Sequence, residues 1–295
     1  MNGATERDYQ QRMLRVLVFI QQHLDEALRL EDLAGVANFS PFHFHRIFRG
    51  MVGETVMEHI RRLRLERAAQ RLRQGAQPVT RLAFEAGYET HEAFTRAFSR
   101  LFGMPPSEYR ERNTLLPADR RVHYRSDGQL SDFEPVFRGE SAMQVTVKKL
   151  EPIRVAFMRH VGPYMEVGAT WSKFCAWAGM RGLFGPQSRI LGLSYDDPDV
   201  TPADKLRYDA CLTVGPQFQP EGEVGVQDIP GGDYAMAVHR GPYEKLSETY
   251  AALCGEWLPR SGREVRTAPA IEMYLNNPQD TAPEELVTEV YVPLK

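Results

Sequence analysis

The sequence predicts two unlike parts: an all-α N-terminal domain with two helix-turn-helix motifs and an α+β C-terminal domain of two ββαββ repeats. The chain has 295 residues, more than one small module needs. Apolar residues recur at helical spacing early in the chain, as in RMLRVLVFIQQHL, and alternate later, as in QVTVKKLEP. Each half also contains an internal repeat, which is the strongest evidence for its architecture.

The change of periodicity sets the domain boundaries. Helical patterns fill residues 1–112, which we expect to form the first domain. Residues 113–142 lose periodicity, as in LPADRRVHYRSDGQLSDFEP, and predict a linker. Alternation from residue 143 to 295 predicts the second domain.

Charge divides the chain in the same way. Residues 1–125 hold 20 arginines, no lysine and 15 acidic residues, which gives +5, whereas the remainder sums to −8. A basic half favours a polyanionic partner such as double-stranded DNA, although a solvated basic surface is the alternative.

Several classes of protein are not expected. No stretch of 18 uninterrupted apolar residues exists, and the first residues are polar. We therefore expect neither a membrane span nor a signal peptide. The expected location is cytoplasmic. Three cysteines without CxxC spacing predict neither a disulfide framework nor a zinc site. His43 and His45, two apart on a helix, point to different faces, which argues against a metal pair. We expect no metal and no cofactor.

The repeat of the first half has an offset of about 50 residues. SPFHFHRIFRGMVG (40–53) overlays THEAFTRAFSRLFG (90–103), and upstream LEDLAGVANF overlays VTRLAFEAGY at an offset of 49. Each copy reads as a short helix, a turn, and a second helix with aromatic residues at i and i+4. This pattern predicts a helix-turn-helix unit whose second helix enters the DNA major groove. A plain αα-hairpin is the alternative.

The segment between the two units predicts how they are spaced. At about 1.5 Å per residue, the 21 residues from Glu54 to Gln74 would form a helix about 31 Å long. Adjacent major-groove segments on one face of DNA are separated by about 34 Å. We therefore expect one chain to present both reading helices as a monomer.

The residues LAFEAGYETHEAFTRAFSRLFGMPPSEYR resemble the signature of the AraC/XylS family of bacterial transcription regulators. The resemblance covers about residues 8–112. It implies base-facing positions in the first recognition helix (Phe42, His45 and Arg46) and in the second (His91, Glu92, Thr95 and Arg96). Arg46 and Arg96 match monomeric activators of this family, which implies RNA polymerase as a partner. An arginine can bind guanine O6 and N7 with two hydrogen bonds.

The repeat of the second half has an offset of 79 to 80 residues. RHVGPYMEVGATWSKFCAWA (159–178) overlays VHRGPYEKLSETYAALCGEW (238–257), and GLSYDDP (192–198) overlays EMYLNNP (272–278). Each copy reads strand, strand, helix, strand, strand. Proline opens each helix, which suits its fixed backbone angle.

A carboxylate in the last strand is the candidate ligand anchor. In LVTEVYVPL, alternation places Glu289 and Tyr291 on one face, and we expect Tyr274 and Glu272 of the neighbouring strand to share that face. A carboxylate among aromatic side chains is a plausible receptor for a lipophilic cation. A solvent-facing strand with a cross-strand ion pair explains the pattern equally well.

Residues 143–295 are similar to the GyrI-like effector-binding domain, through the twofold GPY pattern and the ending TEVYVPL. This resemblance implies a small amphipathic, cationic effector, with Glu289, Tyr274, Tyr291, Tyr164 and Trp171 as candidate contacts. For Trp171 the helical spacing favours the alternative of a simple core position. The domain order resembles the Rob group of regulators. We expect no catalytic residues, because no nucleophile set is evident. A hydrolase using a glutamate-activated water and a protein-interaction module remain the alternatives.

Overall fold

The computed structural model describes residues 3–75, 77–112, 135, 143–196 and 201–295. The predicted linker (113–142), apart from Pro135, and the side chain of Phe42 lie outside this description. The chain divides into two compact units. The helical unit contains residues 10–39, 52–75 and 77–112. The sheet unit contains residues 3–9, 40–51 and the described residues from 143 onward.

The described residues of the first 112 are helical, as the periodicity predicts. The helices are α1 (Gly3–Gln22), α2 (Leu30–Ala37), α3 (Pro41–Val52), α4 (Val56–Gln74), α5 (Val79–Glu85), α6 (His91–Phe102) and α7 (Pro106–Arg112).

Helix α4 is the predicted spacer. Its 19 residues span about 28 Å at the usual rise, slightly less than predicted, because Thr55 caps the helix instead of belonging to it. The Thr55 hydroxyl accepts from the backbone N–H of Glu58 at 3.1 Å, and the Glu58 carboxylate accepts from the backbone N–H of Thr55 at 2.8 Å. This reciprocal capping box fixes the start of the helix.

The second helix-turn-helix unit is held by an aromatic core. Phe94 and Phe98 of α6 are fully buried, and the Phe98 ring lies 5.4 Å from that of Tyr109. The preceding turn places Gly87 at φ +82°, in the left-handed region that favours glycine. In the first copy Asn38, 49 residues earlier, is left-handed as well, at φ 54°. The two copies therefore share their turn geometry.

An ion-pair network supports the start of α4. Arg62 donates to Glu54 at 2.6 Å and to Glu66 at 2.8 Å, and His59 Nδ1 lies 2.7 Å from Glu54 Oε1. Burial opposes the negative charge of Glu54, but hydrogen bonds from His59 and Arg62 and the charge of Arg62 outweigh it and lower the pKa of Glu54 to about 2. Arg62 therefore serves the fold.

The described residues from 143 onward form one antiparallel sheet of eight strands. The strands are β1 (Val145–Leu150), β2 (Ile153–Val161), β3 (Ile190–Ser194), β4 (Arg207–Thr213), β5 (Val224–Ile229), β6 (Gly232–Arg240), β7 (Ala270–Tyr274) and β8 (Val287–Pro293). Their order in the sheet is β1-β6-β8-β7-β3-β4-β2-β5. Each repeat thus places its first strand beside the second strand of the other repeat, and the predicted pair of ββαββ repeats is confirmed.

The helices of the two repeats differ in their winding. The first repeat carries one regular helix, α8 (Val167–Met180). In the second repeat the helix begins as α9 (Leu246–Ala251), continues as a π-helix (Ala252–Trp257) and ends as α10 (Leu258–Ser261).

The repeated Gly-Pro turn is pinned by a histidine in each copy. His160 Nε2 lies 3.1 Å from the carbonyl oxygen of Pro163, and its Nδ1 lies 3.1 Å from the hydroxyl of Thr170. Because a carbonyl only accepts, Nε2 carries the proton and Nδ1 accepts from the threonine. The second copy repeats both contacts, with His239, Pro242 and Thr249.

Candidate effector site and DNA-reading helices

The register of the central strands places the carboxylates of Glu289 and Glu272 on opposite faces of the sheet. Glu289 lies directly opposite Met273, whereas Tyr274 lies opposite Thr288. Directly opposed residues share a face, and neighbouring residues in a strand do not. Tyr274 and Glu272 therefore share the face away from Glu289. The expectation that Tyr274 and Glu272 share the face of Glu289 is wrong, because the strand register is offset by one residue from the one it requires.

Glu289 is held in an ion pair. Its carboxylate lies 3.3 Å from Lys148 Nζ, accepts a hydrogen bond from the Tyr291 hydroxyl, and is 17% exposed. Asp209, the equivalent carboxylate of the first repeat, is fully buried and lies 2.8 Å from Arg159 Nε. Both carboxylates are thus ion-paired, as that alternative requires, but Asp209 does not face solvent. An effector-binding role of Glu289 stays a prediction.

Glu272 is surrounded by hydroxyl groups. The residue is 7% exposed and accepts hydrogen bonds from Ser194 at 2.7 Å, Tyr250 at 3.0 Å and Tyr274 at 2.9 Å. The Tyr208 hydroxyl lies 2.6 Å from that of Tyr274. Burial, reinforced by the charge of Glu272, raises the pKa of each of these three tyrosines well above its usual value, so their hydroxyls stay protonated and able to donate.

Aromatic rings extend this cluster. The Tyr274 ring lies 5.8 Å from the Trp171 ring and 5.3 Å from the Tyr243 ring, and the Tyr164 ring lies 6.1 Å from the Tyr208 ring. The structure therefore brings together three of the predicted contacts, Tyr164, Trp171 and Tyr274, and leaves Glu289 and Tyr291 on the other face.

Four members of this cluster were absent from the predicted contacts: Tyr208, Tyr243, Tyr250 and Glu272. The repeat contained a signal for two of them, because Tyr243 occupies the position of Tyr164 and Tyr250 that of Trp171. Nothing in the local pattern of β7 separates Glu272 from an ordinary strand residue.

The repeat position of Glu272 is Gly192, directly across the β3–β7 pair. A Cβ at Gly192 would overlap the Tyr208 hydroxyl and lie 2.8 Å from the Tyr274 hydroxyl. The centre of the sheet therefore holds one carboxylate and, opposite it, room for the hydroxyls that bind it.

The chemistry of this site suits a positive charge. A buried carboxylate is stabilised by a paired cation, and tyrosine and tryptophan faces attract cations. Among the described residues, no group of three or more His, Cys, Asp or Glu side chains is arranged to hold a metal ion, and no helix is both long and apolar enough to cross a membrane.

The second reading helix exposes two of its four predicted contacts, and the hydroxyl oxygen of Thr95 is buried. Glu92 and Arg96 of α6 are exposed, and His91 and Thr95 are half-buried. The intervening Phe94 is fully buried, so the amphipathic helix fixes which side chains face outward. Their DNA contacts stay a prediction.

The first reading helix differs. His45 of α3 is 1% exposed, and the guanidinium of Arg46 lies 3.8 Å from the centre of the Tyr250 ring. His45 is thus buried, and Arg46 contacts an aromatic ring of the sheet unit.

Comparison with known proteins agrees with this architecture. Residues 143–295 match the GyrI-like small molecule binding domain, and residues 33–112 match a helix-turn-helix domain of AraC type. The probable transcriptional regulator YgiV of Escherichia coli K12 is 32% identical over 155 residues, covering 52% of this chain and 96% of YgiV.

Two further relatives match the helical half. The uncharacterized HTH-type transcriptional regulator YbfP of Bacillus subtilis is 39% identical over 102 residues, 35% of each chain. The right origin-binding protein of E. coli K12 is 34% identical over 95 residues, 32% of this chain and 33% of that protein.

A helix-turn-helix reader followed by a small-molecule-binding domain defines a DNA-binding transcriptional regulator. The chain belongs to the family of GyrI-like small-molecule-binding proteins. Its domain order is that of the Rob group, as the sequence predicts.

Proposed function

We propose that this protein is a cytoplasmic, effector-responsive transcription activator. It reads DNA as a monomer through its recognition helices, acts on RNA polymerase, and binds a small amphipathic cation at Glu272. The observation that supports the effector class is the buried Glu272 carboxylate inside a ring of tyrosine hydroxyls and aromatic faces.

Arg96 is the proposed base-reading residue of α6. It is exposed on a helix whose other face is anchored by Phe94 and Phe98. On a duplex selected from random sequences with the full chain, Arg96→Ala is expected to cost about 1–3 kcal/mol and to relax preference at one or two base pairs. Arg100→Ala, one turn further along the exposed face, is the control for loss of charge alone.

Affinity for this duplex should fall steeply with salt, because phosphate contacts release counterions. If Arg96→Ala and Arg100→Ala weaken all sequences equally, Arg96 binds phosphate and the assignment is wrong. If half-saturation requires dimers, the monomer proposal is wrong.

Glu272 is the proposed charge anchor. A partly desolvated carboxylate gains more from a bound cation than an open surface does. Glu272→Gln keeps the shape and removes the charge. We expect this substitution to lower the affinity for tetraphenylphosphonium, measured by calorimetry on the full chain, by about tenfold or more, near 1.4 kcal/mol. Neutral triphenylphosphine oxide should bind both proteins alike.

Glu289→Gln is the matched comparison, because the sequence alone favours that residue as the anchor. Glu289 already has Lys148 as its cation, so we expect its substitution to change cation affinity less than Glu272→Gln does. If only Glu289→Gln weakens tetraphenylphosphonium, the Glu272 assignment is wrong. Equal affinity in all three proteins would leave the effector proposal without an anchor.

Activation is tested with a template that carries the selected site upstream of a weak promoter. With purified bacterial RNA polymerase, the full chain should increase transcript yield. A decrease would make the protein a repressor.

A further inference from the structure

Helix α3 is held in the sheet unit by buried hydrogen bonds. His43 is fully buried, and its Nε2 lies 3.2 Å from the carbonyl oxygen of Arg266 and 3.1 Å from that of Ala268. Because both partners only accept, Nε2 carries the proton and donates. Burial, with the nearby charge of Arg46, lowers the pKa of His43 to about 3, so the ring is neutral in this contact.

Two glycines bring α3 against the helix of the second repeat. A Cβ on Gly50 would lie 2.5 Å from Gly255 Cα, and a Cβ on Gly255 would overlap the backbone of Gly50. Gly255 lies within the π-helix. This winding is rare in proteins overall, but where it occurs it is often at a functional site. The two backbones therefore meet at a distance that only glycine permits.

Neither glycine has a counterpart in the repeats. The equivalent of Gly50 in α6 is Arg100, and the equivalent of Gly255 in the regularly wound α8 is Ala176. His43 likewise corresponds to Ala93. All three departures lie where α3 contacts the rest of the sheet unit, so α3 alone of the two reading helices is adapted to that unit.

This contact places Arg46 on the wall of the effector site. Its guanidinium lies 3.8 Å from the centre of the Tyr250 ring, and the Tyr250 hydroxyl donates to Glu272. Burial is the largest cause of the raised pKa of Tyr250. The charge of Glu272 raises this pKa further, whereas the charge of Arg46 lowers it. The same two charges oppose each other at Tyr164. Arg46 and Glu272 thus act on the same tyrosine hydroxyls.

We propose that Arg46 is an internal occupant of the effector site, which an effector cation displaces, so that α3 becomes free to read DNA. The inference rests on the proposed function, since it takes the Glu272 site as the cation site. The second helix of a helix-turn-helix unit enters the major groove, and Arg46 cannot contact a base while it lies over Tyr250. Docked α3 therefore leaves α6 as the available reading helix, and effector binding adds α3.

The binding arm measures tetraphenylphosphonium by calorimetry on the full chain. Arg46→Gln removes the internal cation, so affinity should rise about tenfold. Thermodynamic linkage requires that the cation raise DNA affinity by the same factor by which DNA raises affinity for the cation.

The DNA arm does not depend on the ligand. Gly255→Ala adds a methyl group against the backbone of Gly50 and leaves all reading residues unchanged, so it should raise DNA affinity without a cation. Gly168→Ala on α8, where a Cβ meets nothing within 4 Å, is the control and should match the wild type. Hydroxyl-radical footprinting should detect one protected major-groove segment for the wild type. Two segments, about one helical turn apart, should be protected with tetraphenylphosphonium or in Gly255→Ala.

The outcomes separate the two proposals. If cation affinity depends on Glu272 but is unchanged in Arg46→Gln, the displacement inference is wrong and the proposed function survives. If no variant binds the cation, both fail. If Gly255→Ala stays folded by circular dichroism and matches Gly168→Ala in affinity and footprint, α3 docking does not control DNA reading and the inference is wrong.

Discussion

The carboxylate of Glu54 should determine how the helical unit responds to acid. Its side chain is 13% exposed and is bound by Arg62 and His59. Its folded pKa is about 2, against an ordinary value of 4.5. A difference of about 2.5 pKa units corresponds to about 3 kcal/mol. Since the folded pKa is the lower one, this stabilisation is present above about pH 4.5 and is lost as pH falls towards 2.

Glu54→Gln removes this contribution. At pH 7 the free energy of unfolding should fall by up to about 3 kcal/mol, and the difference from the wild type should shrink between pH 4.5 and 2. The measurement is urea denaturation followed by circular dichroism at 222 nm, with hydrogen exchange of the α4 amides to assign the change to the helical unit. Glu108→Gln, which removes the exposed ion pair with Arg112, should cost about 0.5 kcal/mol or less. A Glu54→Gln deficit that is equal at pH 7 and pH 2.5 would refute the linkage argument.

Two further substitutions test local geometry. Thr55→Ala removes the capping box of α4 and should cost about 1 kcal/mol in the same urea titration; an unchanged midpoint would mean that the cap does not stabilise the helix. Gly192→Ala places a methyl group on the Tyr208 hydroxyl and against that of Tyr274, so it should destabilise the sheet unit by about 1–3 kcal/mol and weaken tetraphenylphosphonium. Gly215→Ala, where a Cβ meets nothing within 4 Å, is the control, and equal effects of both would contradict the crowding argument.

Local sequence patterns predict the secondary-structure elements of this fold, but not how the strands of the two repeats pair. Period and internal repeats predict the helices and both ββαββ units, and the turn residues Asn38 and Gly87 fall where the overlay requires. The pairing of β1 with β6 and of β5 with β2 joins strands of different repeats, and local patterns do not predict it. Alternation says which residues of one strand share a face, but it does not identify the neighbouring strand.

The site demonstrates the same limit at the level of one residue. Tyr164, Trp171 and Tyr274 lie together, as expected for contacts of one ligand. They lie around Glu272, however, and not around Glu289. A shift of one residue in strand register exchanges the two faces of a sheet. Without the register, a glutamate in either of two adjacent strands can be assigned to the aromatic face, and the sequence contains no means of choosing.

Duplication explains why the informative residues are the ones that break the repeat. Two copies of a unit place equal side chains at related positions, and two carboxylates facing each other across the β3–β7 pair would repel. Gly192 opposite Glu272 removes that repulsion and leaves a single carboxylate at the proposed site. Gly50 and Gly255 break their repeats in the same manner, each by removing a side chain where two backbones meet. Packing tolerates most substitutions between copies, but a glycine that replaces a larger residue gives up buried contacts. Such a loss is offset only where something else occupies the space. At Gly192 it is a tyrosine hydroxyl, and at Gly50 it is the helix of the second repeat, so these departures from symmetry mark close contacts within the chain.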